Sequence, residues 1–81
     1  MKAKIYITLK EGIHDPQGQA VQQSLHTLGF DMVQHVRMGK LLEVELQDMA
    51  QEAAEDTIKR MCQKLLANMV IEDFRYEIVS T

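Results

Sequence analysis

The spacing of apolar residues changes along the chain, and this limits the fold more than any other feature. Residues 2–10, 31–47 and 70–79 alternate between apolar and polar, the pattern of strands with one buried face. Residues 16–28 and 50–68 repeat apolar side chains at helical spacing. Residues 31–47 are predicted to form two strands joined in a hairpin, with Gly39 at the turn between Met38 and Lys40. The predicted order is β-α-β-β-α-β, an α+β, ferredoxin-like antiparallel sheet with both helices on one face.

The sequence also carries signals for where each helix begins. Asp15 followed by Pro16 predicts an N-cap and a first helical residue, and Gly29 suits the position after the helix ends. Asp48 and Gln51 have the spacing of a capping box, which predicts a second helix of about 18 residues ending near Asn68.

The chain is short enough to form one domain over residues 1–81, and its core is expected to be thin. A lone cysteine, Cys62, excludes an internal disulfide that would brace the fold. We therefore expect the exposed face or edges of the sheet to associate with another subunit.

Charge and composition argue against several classes of partner. The net charge is −3, the basic residues are scattered, and aromatic residues make up only 5% of the chain, so nucleic-acid binding is not expected. No apolar run approaches the length of a membrane span, and the alternating N-terminal segment does not resemble a signal peptide. The expected location is the cytoplasm.

The segment Gly12–Val21 has residue types that occur in catalytic loops, but it lacks a complete set. His14 and Asp15 are neighbours without a nearby nucleophile, and Cys62 falls in the apolar stripe of the second helix. His14, His26 and His35 have no metal-ligand spacing. Neither glycine-rich phosphate motif is present, and the segment lacks the arginine that an acylphosphatase-like hydrolase would need.

The basic pair Arg37 and Lys40 flanks Gly39 and leaves two interpretations open. The pair could contact a carboxylate or phosphate on a partner, or it could be a solvated tip, which is the commoner case. On residue types alone, the chain is a small binding or assembly module. A small-molecule-sensing domain of the ACT type remains an alternative, because that class shares the predicted topology.

Several segments, taken together and in order, resemble the PurS family, the small subunit of phosphoribosylformylglycinamidine synthase. The most specific are Asp15–Gly18 with Ala20 and Val21, Arg37–Lys40, and Cys62–Asn68. The resemblance covers nearly the whole chain. It implies a subunit of purine biosynthesis that forms a dimer or tetramer and bridges the ATP-dependent subunit PurL and the glutaminase subunit PurQ. The bridge is expected to support ammonia transfer between them.

The resemblance also implies where chemistry takes place. The complex uses ATP and Mg²⁺, whereas no cofactor, metal or catalytic residue is expected in this chain. The six residues predicted to lie in a contact between subunits are Asp15, Gln17, Gly18, Arg37, Gly39 and Lys40.

Overall fold

The fold is an α+β arrangement of three strands and two helices, seen in a computed structural model that describes residues 1–80. The elements are β1 (Lys2–Leu9), α1 (Pro16–Thr27), β2 (Gly39–Glu45), α2 (Gln51–Met61) with a π-helical turn (Cys62–Leu66), and β3 (Glu72–Val79). The strand order is β2-β1-β3, and both pairs are antiparallel. The predicted α+β class, the antiparallel sheet and the two helices are confirmed.

The core lies between one face of the sheet and α2. Alternation in β1 buries Ala3, Ile5 and Ile7 completely, and Ile58 and Cys62 of the α2 segment meet them there. Half-buried residues of the outer strands complete this face: Leu42, Val44, Phe74, Tyr76 and Ile78. The alternation predicted for β1 and β3 is therefore confirmed, and α2 covers the core face as expected.

Helix α1 contributes no side chain to this core. Its Asp15 cap and its start at Pro16 are confirmed, and Gly29 follows it with a φ of +98°. Gly18 is its only buried residue. The chain has a radius of gyration of 16.1 Å, whereas a compact domain of this length has about 12 Å. The radius shows that the single chain is extended. The reason is that α1 does not fold back onto the sheet.

The prediction of a strand before Gly39 is wrong. Residues 33–38 are irregular, and Gly39 begins β2 opposite Thr8 rather than forming a hairpin turn. The backbone of this segment is held by α1 instead: the His26 ring nitrogen Nε2 lies 2.7 Å from the Val33 carbonyl oxygen, and Asp15 accepts from the Met38 N–H. Alternation alone does not make a strand when the polar groups of its backbone bond elsewhere.

The predicted capping box is also wrong. Helix α2 has Ala50 as its N-cap, and no side chain bonds to its first turn. Asp48 instead lies 3.0 Å from the N-terminal ammonium of Met1, whose carbonyl also accepts from the Leu46 N–H. The predicted end of the helix near Asn68 agrees with the π-helical turn that closes at Leu66.

Candidate interaction surface

The two segments predicted to contact other subunits lie side by side in the structure. Asp15 and Gln17, at the start of α1, share a small cleft of about 190 Å³ with Gly39 and Lys40, at the start of β2. The sequence did not indicate that residues 15–18 and 37–40 would meet, because residues 19–36 lie between them.

Asp15 joins the two segments directly. Its Oδ1 accepts a hydrogen bond from the Gly18 N–H, and its Oδ2 accepts one from the Met38 N–H, each at 2.8 Å. These two backbone donors, of which Gly18 has the larger effect, hold the pKa of the Asp15 carboxyl below its usual value. The charge of the nearby Arg37 lowers this pKa further. Asp15 is thus both the cap of α1 and the anchor of the segment before β2.

Gly18 is required because the two segments approach closely. A Cβ atom at this position would lie 2.4 Å from the Val36 carbonyl oxygen and 2.7 Å from Asp15 Oδ2. Gly39 is similarly close to β1, where a Cβ would lie 2.8 Å from the Ile7 carbonyl oxygen. Both glycines permit backbone contacts that any larger residue would push apart.

The two basic residues hold different parts of the same region. The Arg37 guanidinium donates to the Leu9 carbonyl, which links the segment before β2 to the end of β1. Lys40 Nζ lies 3.6 Å from Glu72 Oε2 at the start of β3. Glu72 was not singled out from the sequence, since an isolated acidic residue at a strand start gives no signal of its partner.

A second, wider cleft of about 620 Å³ also includes Asp15 in its lining. Its other charged and polar lining residues are Glu11, His14, Gln19, His35 and Arg37. Residues 1–80 contain no group of three or more His, Cys, Asp or Glu side chains arranged to hold a metal ion. His26, the third histidine, is occupied with the Val33 carbonyl.

Cys62 lies apart from both clefts. Its side chain is fully buried in the core, and burial raises the pKa of its thiol. A buried thiol with a raised pKa is a poor nucleophile, because the reactive form is the thiolate.

The open face of the sheet mixes charged and apolar side chains, and Leu41 and Val79 on this face are 54% and 39% exposed. Lys2 of β1 pairs with Glu43 of β2 at 3.0 Å, and the Arg75 guanidinium of β3 stacks 3.9 Å over the ring of Tyr6. Within residues 1–80, no helix is long and apolar enough to cross a bilayer.

The chain is similar in sequence and fold to known proteins. Residues 2–80 match the family model PurS: Phosphoribosylformylglycinamidine (FGAM) synthase. The Bacillus subtilis (strain 168) phosphoribosylformylglycinamidine synthase subunit PurS is 48% identical over 77 residues, which cover 95% of this chain and 90% of that protein.

Solved structures agree with the sequence match. The structure of Bacillus subtilis PurS superposes with a TM-score of 0.83 at 49% identity, covering 94% of both chains. A chain in the structure of PurLQS from Thermotoga maritima gives a TM-score of 0.85 at 26% identity, covering 94% of this chain and 93% of that one. With sequence and fold in agreement over almost its full length, this chain belongs to the PurS family.

Proposed function

We propose that the chain is the PurS subunit of phosphoribosylformylglycinamidine synthase and acts in purine biosynthesis by joining PurL to PurQ. The family match over residues 2–80 carries this proposal. The likeness to a chain of Thermotoga maritima PurLQS supports an assembly of the same three kinds of subunit. In this assembly, PurL uses ATP and Mg²⁺, PurQ releases ammonia from glutamine, and PurS supports the transfer of ammonia between them.

The chain's own residues suit a binding role. Asp15 and Arg37 each hold two backbone segments together, Gly18 permits the close approach of α1 to residues 33–38, and Cys62 is buried in the core. These contacts build a stable surface from two distant parts of the chain. We propose that this surface, residues 15–18 with 37–40, contacts another subunit, and that the chain itself binds no cofactor and works in the cytoplasm.

Association with further copies, as a dimer or tetramer, is part of the proposal. The extended shape leaves large apolar side chains beyond the core: Leu28 and Met32 are 72% and 74% exposed, and Phe30 is about half exposed. Exposed side chains of this size are commonly covered in an assembly. Light scattering on the purified protein measures the number of copies, and a monomer at working concentration would contradict this part.

Reconstitution tests the bridging role. The purified chain is added to PurL and PurQ, and glutamine-dependent synthesis is measured against the same mixture without it. We expect synthesis only when all three are present, and equal synthesis without the chain would refute the proposal. Charge reversal at Arg37 tests the proposed contact surface: we expect weaker binding to PurL and PurQ, whereas unchanged binding would remove Arg37 from the interface.

A further inference from the structure

The outer face of α2 and its π-helical turn carries an apolar groove with a basic border. The groove has a volume of about 400 Å³ and is lined by Thr57, Arg60, Met61, Lys64, Leu65 and Leu66. From Thr57 to Arg60 and Met61, and from these to Lys64 and Leu65, the spacing is three or four residues. These five side chains therefore form one stripe about two turns long. A groove along two turns of helix has the shape that an approaching helix fills.

The π-helical turn explains why Leu65 faces outward. The Ala67 N–H donates to the Cys62 carbonyl five residues earlier, at 3.0 Å. In a regular α-helix, residues five apart point about 140° away from each other. The wider turn lets Cys62 and Ala67 both enter the core, while Leu65 remains 83% exposed. Turns of this kind occur frequently at functional sites.

Arg60 and Lys64, the two basic residues at the border of the groove, form no ion pair among residues 1–80. Asp56 lies one turn before Arg60, but no ion pair joins them. Cations near the end of a helix interact favourably with its dipole, but the dipole does not account for the exposed Leu65 in the same groove. A cationic, apolar groove on a chain of net charge −3 is complementary to carboxylates that flank an apolar side chain.

We propose that this groove binds a carboxylate-bearing amphipathic helix of another subunit of the synthase, with an apolar side chain packed against Met61 and Leu65. This inference rests on the proposed function. A second copy is disfavoured as the occupant, because two-fold pairing of the same face would bring Arg60 and Lys64 against their own equivalents.

Three variants of the full-length chain test the inference in the reconstituted synthase. Lys64→Glu reverses a border charge, and Leu65→Asp puts a carboxylate at the apolar centre. Lys59→Glu makes the same charge change on α2 at an exposed position outside the groove. Each variant is titrated into PurL and PurQ, and the concentration that gives half-maximal glutamine-dependent synthesis is measured. Light scattering and circular dichroism of each variant alone monitor assembly and folding.

We expect Lys64→Glu and Leu65→Asp to raise the half-maximal concentration by about tenfold or more, with no change for Lys59→Glu. Added NaCl should weaken assembly of the wild type more than that of Lys64→Glu, because screening acts on the charge contact. The inference would be overturned if Lys59→Glu and Lys64→Glu gave the same half-maximal concentration, or if Leu65→Asp left that concentration unchanged. The inference would also be overturned if Lys64→Glu or Leu65→Asp, measured without PurL and PurQ, had a different oligomeric state from the wild type. That result would assign the groove to self-association. If the wild-type chain gives no stimulation, the proposed function itself fails.

Discussion

The Asp15 carboxylate accepts a hydrogen bond from the backbone N–H of Met38, 23 residues further along the chain. The same side chain caps α1 through Gly18. One carboxylate therefore fixes both the start of α1 and the path of the chain into β2. This makes the region around Asp15 sensitive to substitution and to protonation.

The two hydrogen bonds that the Asp15 carboxylate accepts should make the free energy of unfolding depend on pH. Its pKa is lowered in the folded state, so the contribution of the carboxylate is complete above the ordinary aspartate pKa. That contribution is lost as the pH falls through the lowered value, because the protonated group bonds the two N–H groups less well. We expect denaturant unfolding to show this loss for the wild type on acidification.

Asp15→Asn is the matched control for this prediction. It retains a side-chain oxygen for capping but does not titrate, so the wild-type advantage over Asp15→Asn should shrink towards low pH. Asp15→Ala should be less stable than either at neutral pH. A difference between wild type and Asp15→Asn that stays constant with pH would contradict the prediction.

Gly18→Ala should destabilise the protein, against the usual trend for helices. Alanine normally stabilises a helix interior by about 1 kcal/mol relative to glycine. At this position the added Cβ would meet the Val36 carbonyl oxygen at 2.4 Å, and that backbone atom cannot move without disturbing the segment before β2. We expect a loss of more than about 1 kcal/mol in the free energy of unfolding, measured in urea.

The control for Gly18→Ala is Ser24→Ala, at an exposed position of the same helix. Its effect should be neutral or slightly stabilising, since alanine has the higher helix propensity. Stabilisation by both substitutions would show that the Val36 carbonyl oxygen does not lie against Gly18.

Ile58 should be the most sensitive apolar position of α2. Its side chain is completely buried against β1, so Ile58→Ala should cost about 2–5 kcal/mol and Ile58→Val about 0.5–1.5 kcal/mol. Leu65→Ala, at an exposed position of the adjoining turn, should change the stability of the chain alone by less than about 0.5 kcal/mol. Urea unfolding measures all three, and similar losses at residues 58 and 65 would contradict the assigned core.

Cys62 should be unreactive in the folded protein. Full burial and a raised thiol pKa both reduce the amount of accessible thiolate, so a thiol reagent at neutral pH should modify Cys62 only after denaturation. Cys62→Ala should still support glutamine-dependent synthesis at saturating concentration in the reconstituted enzyme. Loss of turnover in a folded, fully bound Cys62→Ala protein would indicate a chemical role for this residue.

Local spacing predicted the elements whose form depends on near neighbours. The alternation of Ala3, Ile5 and Ile7 predicted β1 and its buried face, and Asp15 with Pro16 predicted the start of α1. These predictions succeeded because a strand face and a helix cap are determined within a few residues. The PurS resemblance was also visible in short segments, and the family comparison confirmed it.

Two local patterns led to wrong predictions because the hydrogen-bonding partners of these residues lie elsewhere in the fold. Residues 31–38 alternate like a strand, yet Asp15 and His26 hold the backbone of residues 33–38 beside α1. Asp48 has capping-box spacing, yet it pairs with the N-terminal ammonium of Met1. In each case a distant group competed for the same hydrogen-bonding atoms, and the sequence gives no measure of that competition.

Short-range patterns were therefore enough to predict the α+β class, the buried face of β1 and the cap of α1, and short segments were enough to indicate the family. Three features depend instead on how the chain folds: residues 15–18 and 37–40 form one surface, the sheet within residues 1–80 has three strands, and Leu65 lies outside the core. The difference lies in the distance along the chain over which each interaction acts. Periodicity and capping act between residues a few positions apart, whereas the contact of Asp15 with Met38 depends on where the whole chain places two distant backbones.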